Sequence, residues 1–378
     1  MTSAEPNFLP ERVLITGGAG FIGAHLAAEL LEAGCAVRVL DNLDPQVHPE
    51  QRRPHYLSNE AEFIFGDVRS FDTVRDALQG VDAVCHLAAA VGVGQSMYEI
   101  ERYTAVNDLG TAVLLEAIIA SDVRRLLIAS SMSIYGEGLA RGPDGVCDPP
   151  QRRIDRLRAG RWELETDTGD LLEPVPTPET KAPVLGSIYA LNKYNQERMC
   201  LIFGQAYGID VVATRFFNVY GPHQALSNPY TGVLAIFGAR LLNRKAPLVF
   251  EDGMQRRDFV HVRDVASACR LALETPAAAG QVINIGSGQS RTVLNVARLL
   301  AQATGHEDVA PECTGKYRVG DIRHCFADIS LAQRLLGFAP RVDFTDGLAE
   351  LAEWLSMQIA VDRVDQATDE LARRGLVV

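Results

Sequence analysis

The sequence lacks a long apolar run and an excess of basic residues, and each absence excludes a class of protein. No apolar stretch approaches the roughly 20 residues that a membrane-spanning helix requires. The formal charge of the 378-residue chain is −12. This charge disfavours non-specific binding to nucleic acid, which depends on cations that neutralise phosphates. We therefore expect no membrane partner and no nucleic-acid partner.

Paired cysteine motifs are also absent. None of the seven cysteines stands in a CxxC pair or another metal-ligand spacing, which predicts no metal site. Scattered cysteines of this kind are typical of reduced thiols in a reducing compartment. Residues 1–10 are polar and contain proline, without the apolar stretch of a signal peptide. These features predict a cytoplasmic protein.

What the sequence does contain is an alternation of short apolar runs with helix-like segments. This rhythm predicts parallel strands joined by helices, hence an α/β fold with a Rossmann-like, doubly wound parallel sheet. The predicted strands are 13–16, 36–40, 62–65, 83–87, 125–129 and 210–215, and the predicted helices are 21–34, 96–121 and 187–207.

The regular pattern is interrupted once and then changes character. Residues 137–186 are rich in proline, glycine and charge, and we predict a long surface excursion with one short helix at 152–159. Residues 1–216 are predicted to form the first domain, to which 259–285 return. The remainder of 217–378 is expected to form a smaller α+β lobe over the carboxyl edge of the sheet, where such folds bind ligands.

A glycine-rich loop connects the first predicted strand to the first predicted helix. Gly18, Gly20 and Gly23 fit the spacing GxGxxG, and Gly17 begins the variant TGxxGxxG. Such a loop needs residues without Cβ in its tight turn, and the N–H groups at the helix start attract a pyrophosphate. The strand before it and the helix after it make a dinucleotide the expected ligand.

Two carboxylates follow the next strands. Asp41 ends the second strand, where it would bind both hydroxyls of the adenosine ribose and repel the extra phosphate of NADP. Asp67 follows the third strand and is placed to meet the adenine amino group, although an ordinary turn carboxylate is the competing interpretation. The predicted cofactor is therefore NAD.

A second constellation carries proton chemistry. Tyr189 and Lys193 form a YxxxK pair on one face of a predicted helix. A cation beside a phenol favours the phenolate, so we expect Lys193 to lower the pKa of Tyr189 and make it a usable base. The segment Ser130 to Gly136 follows a buried strand and brings a hydroxyl to the same edge of the sheet.

Together these motifs resemble the extended short-chain dehydrogenase/reductases of the NDP-sugar epimerase/dehydratase family. The resemblance spans nearly the whole chain in order. It rests on Thr16 to Gly23, Asp41, Asn42, Gly66 to Val68, His86 to Ala89, Asn107, Ser130 to Gly136, Tyr189, Lys193, Arg215 to Pro222, Arg257 to Val262, Gly320 and Asp321.

The resemblance implies a role for each matching residue. Tyr189 would be the catalytic base and acid, Lys193 its activator and Ser131 its hydroxyl partner. The implied NAD-binding residues are Gly17, Gly20, Phe21, Ile22, Gly23, Asp41, Asn42, Asp67, Val68, Leu87, Ala88, Ala89, Asn107, Tyr189, Lys193 and Phe216. The implied substrate-binding residues are Val91, Val93, Ser131, Ser133, Tyr189, Asn218, Arg257, Arg318 and Asp321.

The substrate implied is a nucleotide-diphosphate sugar. Arg257 and Arg318 would clamp its phosphates, for which the planar guanidinium is well suited, and Asp321 would bind its ribose. Arg256 and Arg323 are close enough in sequence to take the arginine roles instead. The resemblance also implies a homodimer built from helices 96–121 and 187–207.

The residues after the fifth strand bear on the reaction. Dehydratases of this family carry Thr-Asp-Glu there, whereas this chain has Ser131, Met132 and Ser133. Met132 transfers no proton, which argues against 4,6-dehydration. The resemblance then implies 4-epimerisation through a 4-keto sugar, with a dTDP-6-deoxyhexose such as dTDP-L-rhamnose as one candidate substrate. Open alternatives are 4-epimerisation of a UDP-hexose or UDP-glucuronate, decarboxylation of UDP-glucuronate, net oxidation, and a non-catalytic NAD-binding sensor.

Overall fold

The alternation of apolar runs and helices produces a seven-stranded sheet in the computed structural model, which describes residues 9–230, 232–318, 320–359 and 362–377. Numbered along the chain, its strands are β1 (Arg12–Thr16), β2 (Ala36–Asp41), β3 (Glu62–Phe65), β4 (Ala83–His86), β5 (Arg125–Ser131), β9 (Asp210–Phe216) and β13 (Val282–Ile285). Their order is β3-β2-β1-β4-β5-β9-β13, and every pairing is parallel. All their carboxyl ends therefore meet at one edge.

Helices cover both faces of this sheet. One face carries α1 (Phe21–Glu32), α9 (Val262–Glu274) and α11 (Ser330–Leu336), and the other carries α2 (Phe71–Ala77), α5 (Gly110–Ile118) and α7 (Ile188–Tyr207). Each layer buries aliphatic side chains against the strands, which is the hydrophobic driving force for the arrangement. The predicted Rossmann-like, doubly wound sheet is confirmed.

The single helix predicted over 96–121 is wrong. The chain there forms α3 (Val93–Ser96), α4 (Ile100–Thr104), a π-helical turn (Ala105–Leu109) and then α5. The π-helical turn contains Asn107, whose buried amide bonds to the main chain of a neighbouring loop instead of facing solvent. Apolar periodicity does not register such an interruption, because a π turn inserts a residue without changing composition.

The excursion over 137–186 has more structure than its composition predicts. Its short helix α6 is Ile154–Arg158, as expected to within two residues, but an antiparallel sheet was missed. That sheet comprises β6 (Ala140–Gly142), β7 (Gly145–Cys147) and β8 (Glu173–Pro174). Pro143-Asp144-Gly145 makes the turn between the first two strands, with Gly145 at a φ of +112°.

The smaller lobe stands beside the carboxyl edge of the sheet. Its strands are β10 (Asn218–Tyr220), β11 (Leu248–Val249), β12 (Arg256–His261), β14 (Ser290–Thr292), β15 (Glu312–Cys313) and β16 (His324–Cys325), and its helices are α8 (Val233–Leu242), α10 (Val293–Ala303), α12 (Phe344–Ser356) and α13 (Val364–Arg373). β12 pairs with β10, β14 and β16. Between β12 and β14 the chain returns to the large sheet through α9 and β13.

Two further structural facts bear on what the molecule can bind. Over the ranges that the structure describes, no helix is both long and apolar enough to cross a bilayer. Within the same ranges, no group of three or more histidine, cysteine or acidic side chains is arranged to hold a metal ion.

Candidate functional site

A cavity of about 470 Å³ opens at the carboxyl edge of the large sheet, between it and the smaller lobe. Most of the predicted site residues share its wall, although they come from well-separated segments of the chain. Those lining it are Gly17, Gly20, Phe21, Ile22, Gly23, Asp41, Asn42, Asp67, Val68, Leu87, Ala88, Ala89, Val91, Val93, Ser131, Ser133, Tyr189, Lys193, Phe216 and Asn218.

The glycine loop is so close to neighbouring main chain that side chains would not fit. A Cβ at Gly17 would lie 2.8 Å from the main chain of Ala88, and one at Gly23 would lie 2.5 Å from the Cα of Gly18. Gly17 also has a φ of +70°, a conformation that favours glycine. α1 starts at Phe21 with no side-chain cap, so its first N–H groups face the cavity edge for an anion to bind.

Asp41 braces this loop as well as lining the cavity. One carboxylate oxygen accepts a hydrogen bond from the N–H of Ala19 at 3.0 Å, and the other accepts from the N–H of Leu43 at 2.9 Å. Burial raises the pKa of Asp41, while these main-chain N–H groups and the nearby His48 favour its ionised form. A carboxylate oriented in this way can accept hydrogen bonds from ribose hydroxyls.

Asp67 and Asn42 are held side by side. The amide of Asn42 donates to the Asp67 carboxylate at 3.0 Å, and the guanidinium of Arg69 donates to both carboxylate oxygens at 2.8 and 2.7 Å. Arg69 holds the pKa of Asp67 down to about 2. The carboxylate is thus a firmly charged acceptor at the cavity wall, and part of its hydrogen-bonding capacity is taken by Arg69.

Asn107 is placed differently from the other predicted cofactor residues, because its side chain lies behind the wall. Its carbonyl oxygen accepts from the N–H of Ala90 at 2.8 Å, and its amide donates to the oxygen of the same residue at 3.1 Å. This double contact fixes the loop that follows β4, which carries Leu87 to Ala89. Asn107 therefore shapes the site without lining the cavity.

The three predicted proton-transfer residues converge at the same wall. Tyr189, near the start of α7, and Ser131, the last residue of β5, lie close enough for the Ser131 hydroxyl to lower the pKa of the Tyr189 phenol. One turn later on the helix, the amine of Lys193 donates to the main-chain oxygen of Ala129 at 2.9 Å. Ser133 donates its N–H to the Ser131 hydroxyl at 3.1 Å, which orients that hydroxyl.

The acid–base balance of this group differs from the expectation. Burial raises the pKa of Tyr189 to about 12, and only the nearby hydroxyl of Ser131 acts to lower it. Burial likewise lowers the pKa of Lys193 to about 8. The sequence predicts the neighbouring cation but not the cost of desolvating both groups in one buried site, which dominates here.

Phe216 and Asn218 line the cavity where the chain passes from the large sheet to the smaller lobe. Phe216 ends β9 and Asn218 begins β10, and the lining also includes Val91 and Val93. Within the described ranges, the side-chain oxygen of Asn218 is buried without a hydrogen-bond partner. A buried polar atom of this kind costs free energy unless a ligand satisfies it. The site is therefore completed by a polar ligand.

Three predicted substrate residues lie outside the cavity wall, judged on the residues that the structure describes. The guanidinium of Arg257 lies 3.5 Å from a carboxylate oxygen of Asp321. The guanidinium carbon of Arg318 lies 4.1 Å from the ring centroid of Phe250, and the charge of Asp321 favours the protonated form of Arg318. Arg318 also interacts electrostatically with Tyr230, which lines the cavity. The three thus form a cluster next to the cavity.

Of the two arginines that compete for the clamp, Arg323 is unsuited to it. Its side chain is fully buried, and its guanidinium is bonded to Glu163, Glu251 and Asp252. Because these three carboxylates already bind the guanidinium N–H groups of Arg323, a phosphate would be repelled by their negative charge. Arg256 is exposed on β12.

A chain of hydrogen-bonded polar side chains in the cavity wall is not predicted by any sequence motif. The amide of Gln46 donates to the side-chain oxygens of Gln95 and Asn228, at 3.0 Å in each case, and Arg102 donates to Gln46 at 2.9 Å. All four line the cavity. They come from widely separated loops and helices that belong to none of the predicted motifs, so only the folded chain brings them together.

The comparison with protein-family models gives one match, to the NAD dependent epimerase/dehydratase family, over residues 13–153 and 168–286. The chain is 35% identical to a dTDP-L-rhamnose 4-epimerase of Burkholderia thailandensis, over 92% of this chain and 96% of the relative.

Solved structures of this family have the same fold. A UDP-glucose 4-epimerase of Thermotoga maritima with UDP-glucose matches at a TM-score of 0.74 and 31% identity, over 91% of this chain and 98% of the other. A UDP-glucose 4-epimerase of Thermus thermophilus in complex with NAD matches at 0.72 and 30%, over 92% of this chain and 100% of the other.

Proposed function

Because the chain belongs to the NAD-dependent epimerase/dehydratase family, we propose that it inverts C4 of a sugar joined to a nucleoside diphosphate, through a transient 4-keto sugar. The observation that carries this proposal is the convergence of Ser131, Tyr189 and Lys193 on the wall of one cavity that the glycine loop and Asp41 also line. A site that only bound a dinucleotide would not need the hydroxyls of Ser131 and Tyr189 side by side.

The residues present fit NAD. The glycine loop leaves room for a pyrophosphate at the start of α1, and the oriented carboxylate of Asp41 suits ribose hydroxyls while disfavouring the added phosphate of NADP. When bound, the nicotinamide supplies a reversible hydride acceptor that is positively charged in its oxidised form. Lys193 is placed to hold its ribose, and Phe216 lies on the wall beside the reacting groups.

Tyr189 moves the proton in the proposed reaction. As its phenolate it takes the proton from the C4 hydroxyl while the C4 hydrogen leaves as hydride, so the sugar loses two electrons. Ser131 holds the C4 oxygen in both directions, because its side chain lies on the cavity wall close to Tyr189. After the flat keto sugar turns, hydride returns to the opposite face and Tyr189 gives the proton back. Protonated Lys193 stabilises the phenolate before the oxidation and again after the reduction, while between these steps Tyr189 is a neutral phenol.

The residues after β5 favour this simple cycle over dehydration. Met132, which lines the cavity, stands where dehydratases carry an aspartate, and Ser133 follows where they carry a glutamate. Neither provides the acid needed to expel water from C5 and C6 at neutral pH. Ser133 instead accepts a hydrogen bond from Ser131 at 3.1 Å.

For the sugar itself we propose a dTDP-6-deoxyhexose such as dTDP-L-rhamnose. The wall that would face it includes Val91, Val93 and Met132, and these apolar side chains suit a methyl group at C6 better than a carboxylate. The 35% identity to a dTDP-L-rhamnose 4-epimerase supports the same choice.

The decisive experiment incubates the purified protein with a panel of dTDP- and UDP-linked hexoses and follows the products by NMR. The proposal expects inverted C4 with no net consumption of NAD. Release of carbon dioxide from a UDP-glucuronate would identify a decarboxylase, and accumulation of a keto sugar with NADH would identify a net oxidoreductase. A protein that binds NAD but converts no member of the panel would point to the sensor.

We also propose a homodimer and a cytoplasmic location. α5 and α7 pack together, and the neighbouring apolar side chains of Leu109, Leu191 and Ile202 are exposed. Light scattering should give twice the mass of one chain, and Ile202→Glu should halve it.

All seven cysteines are unpaired in the described chain, which suits a reducing compartment. Recovery in the secreted fraction of the cells would contradict that location.

A further inference from the structure

The excursion over 137–186 contacts the cluster of Arg257, Arg318 and Asp321, and this contact suggests what the excursion does. The segment 318–324 carries two members of that cluster, and its described residues 320–323 form no helix or strand. An irregular segment holds its shape only through partners for its main-chain groups. The identity of those partners therefore decides where the side chain of Asp321 stands.

The partners come from two sides. From β12, the guanidinium of Arg257 donates to the main-chain oxygens of Ile322 and Arg323, the latter at 2.9 Å. From the excursion, the carboxylate of Glu137 accepts from the N–H groups of Arg323 and His324 at 2.8 and 3.0 Å. The charged side chains of Arg257 and Glu137 thus form hydrogen bonds with consecutive peptide groups directly after Asp321.

Arg152, also from the excursion, adds a third charged contact to this segment. Its guanidinium donates to the main-chain oxygen of Asp321 at 2.8 Å and to the carboxylate of Glu251 at 2.7 Å, and it pairs with Glu137 at 3.1 Å. Its side chain is only 8% exposed. One buried cation therefore ties the excursion to Asp321 and to the loop before β12.

We propose that Arg152 is a positioning residue for nucleotide recognition: it holds Asp321, and through it the neighbouring arginines, in the arrangement that binds the nucleoside diphosphate of the substrate. The proposal rests on the proposed function, which assigns that cluster to the nucleotide. In this proposal the excursion stabilises the part of the site that binds the nucleotide. Arg152 does not line the cavity that the sugar and the cofactor would occupy, so it would affect nucleotide binding and not the chemical step.

Arg153 offers a matched control. It is the next residue, it carries the same charge, and its side chain is 67% exposed with Asp155 as its ion-pair partner. Arg152→Ala and Arg153→Ala remove the same atoms and the same charge from adjacent positions. A difference between them therefore reports the contacts of Arg152 and not the net charge of the excursion.

The test measures the binding of dTDP and of UDP by calorimetry, together with KM, kcat and NAD content. We expect Arg152→Ala to weaken binding of the better nucleotide and to raise KM about tenfold or more, the size expected for losing a charge-assisted hydrogen bond. kcat and NAD content should stay within about twofold of the wild type, within the usual scatter of one contact. Arg153→Ala should match the wild type throughout.

Two further variants separate positioning from general support of the fold. If Arg152 acts through Asp321, Asp321→Ala should raise KM by itself, and adding Arg152→Ala should raise it little more. Arg152→Lys, which keeps a charge opposite Glu251 but cannot reach all three partners, should recover part of the affinity. This variant also carries the test if Arg152→Ala proves poorly folded.

The outcomes distinguish this proposal from the one on which it rests. Unchanged nucleotide binding and KM in folded Arg152→Ala would overturn the positioning role while leaving the epimerase proposal intact. Additive effects in the double variant, or a loss confined to kcat, would overturn it equally. If the wild-type protein bound neither dTDP nor UDP, the proposed function would fail, and the role of Arg152 with it.

Discussion

The amine of Lys193 donates a hydrogen bond to the main-chain oxygen of Ala129 at 2.9 Å, and this contact ties α7 to β5 two residues before Ser131. Tyr189 lies one turn earlier on the same helix, so this hydrogen bond also fixes the position of its phenol near Ser131. The main-chain N–H of Tyr189 is itself bound to the hydroxyl of Ser96 at 3.1 Å. Helix and strand are thus held together where the proposed proton transfer takes place, which would limit the reorganisation that this step requires.

Replacing Tyr189 by phenylalanine should abolish turnover while NAD stays bound. The ring is retained, but the atom that carries the proton is lost, and general acid–base catalysis of this kind is worth about 10²–10⁴-fold in rate. Activity and the cofactor content of the purified protein are the measurements. Tyr207→Phe is the control, because Tyr207 ends the same helix with its side chain 55% exposed. Near-full activity of Tyr189→Phe would refute the mechanism.

Two substitutions at Asp41 should have separable effects. Asp41→Ala removes the acceptors for Ala19 and Leu43 along with the charge, so NAD binding should weaken by about tenfold or more. Asp41→Asn keeps one acceptor and removes the charge, so the preference for NAD over NADP should fall with a smaller loss of affinity. Fluorescence titration with both cofactors measures this. An unchanged ratio in both variants would contradict the ribose assignment.

His86 should make the protein sensitive to acid. Burial lowers its pKa to about 3, from a usual value of 6.5, and its ring nitrogens face the hydroxyls of Thr16 and Thr111. Above pH 6.5 the ring is neutral in both folded and unfolded chains. Below it the unfolded chain binds a proton that the folded chain does not, so the free energy of unfolding falls by about 1.4 kcal/mol per pH unit until about pH 3.

His86→Gln keeps hydrogen-bonding groups but does not titrate, so it isolates this contribution. Urea unfolding at about pH 6 and about pH 5 should show a fall in the free energy of unfolding that is smaller in the variant than in the wild type by about 1 kcal/mol. Equal falls in the two proteins would show that His86 is not the group responsible.

The buried pair of Glu197 and Arg215 should be costly to break from one side. Arg215 donates to both Glu197 oxygens at 2.7 and 2.9 Å, and both side chains are at most 5% exposed. Glu197→Ala leaves a buried cation unpaired, which should lower the free energy of unfolding by about 3–5 kcal/mol. Asp308→Ala breaks the pair with Arg244, whose side chains are both mostly exposed, and should cost at most about 1 kcal/mol. Similar costs in urea unfolding would contradict this account.

Local pattern accounts for most of what the sequence predicts correctly. The alternation of apolar runs and helices predicts the doubly wound sheet, because each strand buried on both faces must be nearly all apolar. It fails at 96–121 and over 137–186. There the geometry depends on Asn107 reaching the main chain of Ala90 and on short strands that have little hydrophobic signature of their own.

The sequence by itself determined the glycine loop, and it predicted Asp41, Tyr189 and Lys193 as site residues, because their chemistry needs particular residue types at particular spacings on elements that periodicity predicts; the family resemblance added Ser131. Only the tertiary structure decided the electrostatics and the distant partners. Burial sets the pKa of Tyr189 near 12 and that of Lys193 near 8. Arg152 meets Asp321 across 169 residues. Desolvation and long-range contacts arise only when the chain is packed, so no local pattern in the sequence can contain them.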